Sequence, residues 1–260
     1  MIRGIYTAIS GLITGEAKQS VINNNIANAN TNGFKSETLV TKKFSDVLIK
    51  NYDKVIGDKN VKNDIGSLCL GNEIDEVVTN YTRGIIQDTD SDTDFAIDGK
   101  GFFSLIRYDG INKKELYTRD GHFHINTQGF LVDDCGDKVI GYDAKNGNEV
   151  PIFVGSNHVK LNQAGDIFIG DELKYKFRIV DFKDTKRVKK EGDNYYTCDS
   201  VAHIKDANIL QKHLERSNVN VTNEMVNMMA VMRGFESNQT VLKTLDETLS
   251  KSVNEIGRVR

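Results

Sequence analysis

The 260-residue chain is predicted to be α+β, with long N- and C-terminal helices paired as a coiled coil and a central antiparallel all-β domain. Three observations carry this. At each end apolar residues recur at steps of three and four, the period of one helix face. Between about residue 88 and residue 206 the period changes to two, with short runs punctuated by turn pairs. The single proline, Pro151, lies far from both ends, so nothing interrupts either helix.

The C-terminal pattern is the longer. Apolar residues fall at Val221, Met225, Met228, Met232, Phe235, Leu242, Leu245, Leu249, Val253, Ile256 and Val259, broken only by a polar turn at 237–240. Asn220 or Thr222 is a candidate N-cap, and Glu224 sits in the first turn, where the helix dipole favours an anion. A helix of about forty residues spans roughly 60 Å. That outruns a compact domain, so its stripe has to lie on another helix or on copies of itself. At the N-terminus Ile2, Ile5, Ile9, Leu12 and Ile13, continued by Ala17, Val21, Ile22 and Ile26, mark a second amphipathic helix. It matches a secretory leader poorly: Arg3 is its one basic residue, and it has no unbroken apolar run. The expected assembly interface is therefore Ile2, Ile5, Ile9, Leu12 and Ile26 from the first helix. From the last it is Met225, Met228, Met232, Phe235, Leu242, Leu245, Leu249, Val253 and Ile256.

Between the helices, residues 23–37 are rich in asparagine, which tolerates left-handed backbone angles; Asn32-Gly33 signals a turn and Phe34 is an anchor. Residues 36–87 show little periodicity; the polar stretch 50–72 reads as an extended arm with little core of its own, and 71–81 begins to look like strand, with β-branched residues and partial alternation. Short strands follow, such as Leu116-Tyr117-Thr118, Phe130-Leu131-Val132 and Phe177-Arg178-Ile179-Val180, separated by Asp120-Gly121, Cys135-Gly136, Asn146-Gly147 and similar pairs. The expected division is a discontinuous helical domain of 1–35 plus 207–260, a connector of 36–87 and a β domain of 88–206.

Charge and motifs exclude most chemistry. The net charge of −3 gives no bulk attraction to nucleic acid or anionic membrane. No stretch of about twenty apolar residues is present to insert in a membrane. Cys69, Cys135 and Cys198 form no CxxC and read as partly buried free thiols. Aspartates 88, 90, 92 and 94 alternate as calcium ligands do, but an EF-hand needs glycine at 93 and glutamate at 99, where Thr93 and Gly99 stand. The stretch reads as a solvated acidic turn. His122 and His124 share a strand face, with no evident third metal ligand. Gly99-Lys100-Gly101 lacks the rest of a phosphate loop, and there is no HExxH or GxSxG. No enzyme activity, cofactor or metal is expected.

Residues 24–35, NNIANANTNGFK, resemble the signature of the bacterial flagellar rod and hook proteins, which typically reads NNLANVNTTGFK; its members here are Asn24, Asn25, Asn28, Asn30, Gly33 and Phe34. The opening Met1-Ile2-Arg3-Gly4-Ile5-Tyr6-Thr7-Ala8 is similar to the same family. So are Phe44-Ser45-Asp46-Val47-Leu48, residues 96–103, Tyr117-Thr118-Arg119-Asp120-Gly121, Leu214-Glu215-Arg216-Ser217-Asn218 and residues 232–238. Gly234 stands where the family usually has alanine, as a weak point or a close helix contact. The resemblance implies a structural subunit of the flagellar basal-body rod that polymerises into a helical tube transmitting torque from motor to hook. The terminal helices would pair along its inner wall. The segment 44–48 and the arm after it favour the distal rod; the proximal rod subunit is the alternative. Implied partners are further copies, other rod and hook proteins and the flagellar type III export apparatus, with export lacking a cleaved signal. Unsatisfied apolar stripes imply weakly ordered ends before assembly. Two other classes remain: a secreted β-domain adhesin, and a metal-dependent hydrolase built on residues 88–94 or on His122 and His124.

Overall fold

The computed structural model describes residues 2–256 apart from 57–58, 110–111, 156–157, 163, 171, 183, 193, 199–200 and 205–206. It is α+β and divides into two units. One holds Met1–Ala27, Glu37–Asn80 and Asn220–Arg260, the other Asn28–Ser36 and Tyr81–Val219. These bounds differ from the expected ones: residues 81–87 and 207–219 fall in the β unit, with 209–211 and 213–215 as strands where the sequence turned toward helix. The arm belongs with the helices, and the asparagine-rich loop belongs with the β domain.

The helical unit is built on α1 (Ile2–Ala27) and α2 (Val221–Lys251). Asn220 caps α2, its side chain accepting from the Asn223 amide, and Glu224 lies in the first turn. The helix has 31 residues rather than about forty, because a π-helical turn, Ser252–Ile256, takes over after Lys251. Val259 and the side chains of Ile2 and Ile256 lie outside the described residues.

The two helices pack antiparallel. A Cβ added at Gly4, Gly11 or Gly15 would meet Leu245, Asn238 or Phe235, so the order of contacts runs in opposite senses. With the buried Ala8, these glycines form a seam of small residues stepping by four, three and four. Such a seam lets the helix backbones approach closely. The half-buried residues of α2 recur in the same rhythm: Met228, Val231, Phe235, Asn238, Leu242, Leu245 and Leu249. The α2 half of the expected stripe is thus largely the face that meets α1. The α1 face that meets α2 is Gly4, Ala8, Gly11 and Gly15, while Ile9 and Ile13 are exposed and Ile5, Leu12 and Ile26 are half-buried. Hydrophobic periodicity scores glycine as nothing, so a glycine seam is invisible to it.

A third face of α1 is polar and packs on strands. Strands β1 (Glu37–Lys43) and β4 (Asn72–Thr79) pair antiparallel, as do β2 (Val47–Ile56) and β3 (Lys59–Leu68). Asn72 donates from Nδ2 to Thr14 Oγ1 at 3.2 Å and from its amide to Ser10 Oγ at 3.4 Å; Thr7 Oγ1 donates to Leu70 O at 3.3 Å. Gly71, with φ +133°, makes the entry turn, and a side chain there would strike Ser10. The expected loop is therefore a paired ribbon, although none of its described residues is buried.

Gly234 lies within α2 with nothing inside 4 Å of an added Cβ, so the close-contact reading fails within the chain. Gly234→Ala is therefore expected to raise the unfolding free energy of the helical unit by about 0.5–1 kcal/mol, the helix-propensity difference. Urea unfolding followed by far-ultraviolet circular dichroism checks this.

The β unit follows the period-two reading. Strands β5 (Ile86–Asp88), β6 (Phe95–Ile97), β7 (Phe102–Asp109), β8 (Asn112–Thr118), β9 (His124–Ile125), β10 (Leu131–Val132) and β11 (Lys138–Asp143) come first. Its main sheet runs in the order 159–161, 166–169, 172–177, β11, β7, β8, 195–197, 189–191, with every pair antiparallel. Along β7 and β8, side chains alternate between two cores: Phe103, Leu105 and Leu116 enter the larger, Phe102 and Tyr117 the smaller with Val180, Phe182 and Tyr196. The chain then returns to its start. Residues 209–211 pair with β6, and 213–215 pair with β5.

Candidate assembly surface and a buried ion cluster

After the helices have packed, each keeps a large apolar face in solvent. On α1 it is Tyr6, Ile9 and Ile13, one helical face by spacing; on α2 it is Val221, Met225, Val226, Met229 and Met232, with Met225 53% exposed and Met232 47%. No residue of α2 is fully buried. Of the expected interface residues, Met228, Phe235, Leu242, Leu245 and Leu249 are engaged within the chain, whereas Ile9, Met225, Met232 and Val253 are exposed. Contiguous exposed apolar surface of this kind marks an interaction site.

The signature residues sit elsewhere, and most have a structural task. In the helical unit, buried Asn25 clasps the start of β1: its Nδ2 donates to Glu37 O at 2.8 Å and its Oδ1 accepts from Glu37 N at 2.9 Å. In the β unit, Asn28 Oδ1 accepts from Thr31 Oγ1, and the Asn30 carbonyl accepts from Arg216. Asn24 is exposed at the end of α1. Gly33, with φ +68°, donates its amide to Glu215 O at 2.7 Å. A Cβ there would fall inside contact distance of the Arg119 and Asp120 backbone, which explains glycine at this point. Phe34 is buried as expected, with Lys190 Nζ 4.3 Å over its ring.

The next residue matters most and was not among the expected site residues. Lys35 is buried, and its ammonium donates to Glu215 Oε1 at 2.6 Å and to Thr82 O at 2.9 Å. Glu215 is equally buried. It also accepts from Gly84 N at 2.8 Å and stands 3.5 Å from the Arg119 guanidinium. Arg119 is buried too, donating to the carbonyls of Ile97 and Gly99. Burial pulls the pKa of both cations below their ordinary values, while the Glu215 carboxylate holds them up. One buried carboxylate thus serves as the shared counter-charge of two desolvated cations, which leaves the trio with one net positive charge. Around it Asn218 ties Ser36 N, at 2.7 Å, to Thr82 O. Each ion lies inside a motif quoted above, so the residues were visible in the sequence. Their meeting was not, because Lys35 and Glu215 are 180 positions apart.

Comparison with known proteins follows this layout. The N-terminal model of the flagella basal body rod proteins matches residues 5–35, the D1 domain model of the flagellar hook protein FlgE/F/G matches 96–169, and the C-terminal model of the flagellar basal body rod FlgEFG proteins matches 210–256. The flagellar basal-body rod protein FlgG of Bacillus subtilis (strain 168) is 32% identical, over 98% of this chain and 99% of its own length. The chain belongs to the flagellar basal-body rod protein family. FlgF of Caulobacter vibrioides is also 32% identical over the whole of both chains, and the hook-basal body complex protein FlhO of Bacillus subtilis is 25% identical over the same extent. In this rod family member the ion cluster takes one residue from each matched segment: Lys35, Arg119 and Glu215.

The residues proposed for chemistry are otherwise employed. Asp88 lies beside His213, Asp92 beside Lys212 and His158, and Asp94 beside His122. The acidic turn is not wholly solvated, since Asp94 is buried. Cys69 and Cys198 are half-buried, and Cys135 is exposed. Among the described residues no helix is long and apolar enough to cross a membrane.

Proposed function

We propose that this chain is a structural subunit of the flagellar basal-body rod, polymerising into a helical tubular shaft that carries torque from motor to hook. The observation that carries this reading is the pair of apolar faces left open on α1 and α2 of a family member. Shelter for them requires neighbouring molecules, and a repeated non-closing contact builds a helical assembly. The alternating steps of four and three along α2 support a supercoiled α1–α2 pair lining the inner wall. The assembly interface in this reading is the exposed set Tyr6, Ile9, Ile13, Met225, Met229 and Met232, together with Val253. The partners are further copies, other rod and hook proteins and the export apparatus that delivers the subunit. The role is mechanical, without catalysis.

The 44–48 segment favours a position in the distal rod. The proximal rod is the second reading, since the C-terminal stretch Leu245-Asp246-Glu247-Thr248-Leu249 suits either position. Deletion of residues 221–260 is expected to abolish motility and rod completion while circular dichroism of the purified product still reports a folded β unit. Normal swimming by that strain contradicts the reading.

A further inference from the structure

Where the glycine seam of α1 stops, a cleft opens in the helical unit. The positions that continue the seam past Gly15 are Lys18 and Ile22, and side chains of that size hold the helix backbones apart. The cleft has a volume of about 270 Å³. Its walls come from three elements: Lys18, Val21 and Ile22 on α1, Leu39 on β1, and Glu224 and Val231 on α2. Four of these side chains are apolar, and one base and one acid stand among them. A dry cavity of about 150 Å³ admits a benzene ring, so this space takes an aromatic side chain whole.

The same unit carries a side chain of matching size and chemistry. Tyr6 is 63% exposed and is, among the described residues, the one aromatic exposed on either helix, since Phe235 is packed over Gly15. Tyrosine combines a large apolar ring with a polar tip and is a preferred interface anchor. It does not fill the cleft of its own chain: twelve residues of α1 separate Tyr6 from Lys18, about 18 Å along the helix. We propose that Tyr6 of one copy inserts into this cleft of the next, its ring against Val21, Ile22, Leu39 and Val231 and its hydroxyl beside Lys18 and Glu224. The inference rests on the reading that copies polymerise, and it names the contact that joins them. Tyr6 lies toward the end of the helix pair where Gly4 meets Leu245, and the cleft lies toward the other end. A knob and its hole at opposite ends make a heterologous contact, in which each added copy buries one tyrosine and presents another.

Photocrosslinking in isolated basal bodies tests the contact, with p-benzoylphenylalanine at position 6 of the full-length chain in a strain lacking the native copy. Irradiation is expected to join position 6 to residues 18–22, 37–39 or 224–231 of a second copy, giving covalent dimers and higher multimers. Tyr6→Ala weakens the contact by more than about thirtyfold, the loss of a hot-spot anchor, and stops swimming, whereas Tyr6→Phe keeps the ring and swims. Ala230 lines the cleft from an exposed position on α2. Ala230→Trp therefore fills the cleft and stops swimming, with the thermal melt of the purified variant unchanged. Crosslinks from assembled copies to any other segment, or normal swimming by Ala230→Trp, overturn the proposal and leave the rod reading standing. Absence of the wild-type chain from isolated rods overturns both.

Discussion

Glu215→Ala is expected to destabilise the β unit by about 3–5 kcal/mol, because it strands two buried cations. The Glu215 carboxylate is the counter-charge of Lys35 at 2.6 Å and of Arg119 at 3.5 Å, and all three side chains are almost wholly out of solvent. Alanine leaves Lys35 with only the Thr82 carbonyl and the Gly84 amide with no acceptor from residue 215. A surface pair gives the contrast. Lys114–Glu191 lies on exposed strands, and Glu191→Ala should cost less than about 1 kcal/mol. Urea unfolding of both variants, followed by circular dichroism, separates the cases. Equal small losses would mean that the buried cluster contributes no more than a solvated ion pair.

Met225→Asp combined with Met232→Asp is expected to abolish swimming and halt rod assembly while leaving the free protein folded. Both side chains are about half exposed in the single chain, so the change in its stability should stay within about 0.5 kcal/mol. In the proposed shaft the same positions would lie between subunits. Each carboxylate then faces a desolvation penalty of several kcal/mol, and two of them weaken each contact by more than about a thousandfold at roughly 1.4 kcal/mol per factor of ten. Methionine-to-leucine replacements at both positions keep the apolar area and should support swimming. Soft-agar motility of complemented strains and a thermal melt of the purified variant are the two readouts. Wild-type swimming by the aspartate variant would remove these methionines from the interface.

Much of this architecture was legible in the residues. The α2 stripe, its Asn220 cap and the alternating strands of 102–118 each follow from a periodicity that burial enforces. The α1 seam was not legible, because Gly4, Gly11 and Gly15 pack through the absence of a side chain. Of the isoleucines in the pattern, Ile9 and Ile13 are exposed instead. The sequence marks strand at 71–81 but an arm at 50–72, because the strands there are polar and none of their described residues is buried, so they lack the alternation that marks a half-covered sheet. At the ion cluster, the GFK, YTRDG and LExSN motifs were all visible. What no linear reading supplied was that a lysine and an arginine from two distant motifs share the carboxylate of a third in one buried place.

The account rests on the open apolar faces of α1 and α2 being buried by sister subunits. Electron cryo-microscopy of isolated basal bodies tests this most directly. The predicted map has α1 and α2 of each copy in the shaft wall, with Tyr6, Ile9, Met225, Met229 and Met232 enclosed by neighbouring chains. A map in which those side chains remain in solvent, and the subunits join only through their β units, would contradict it.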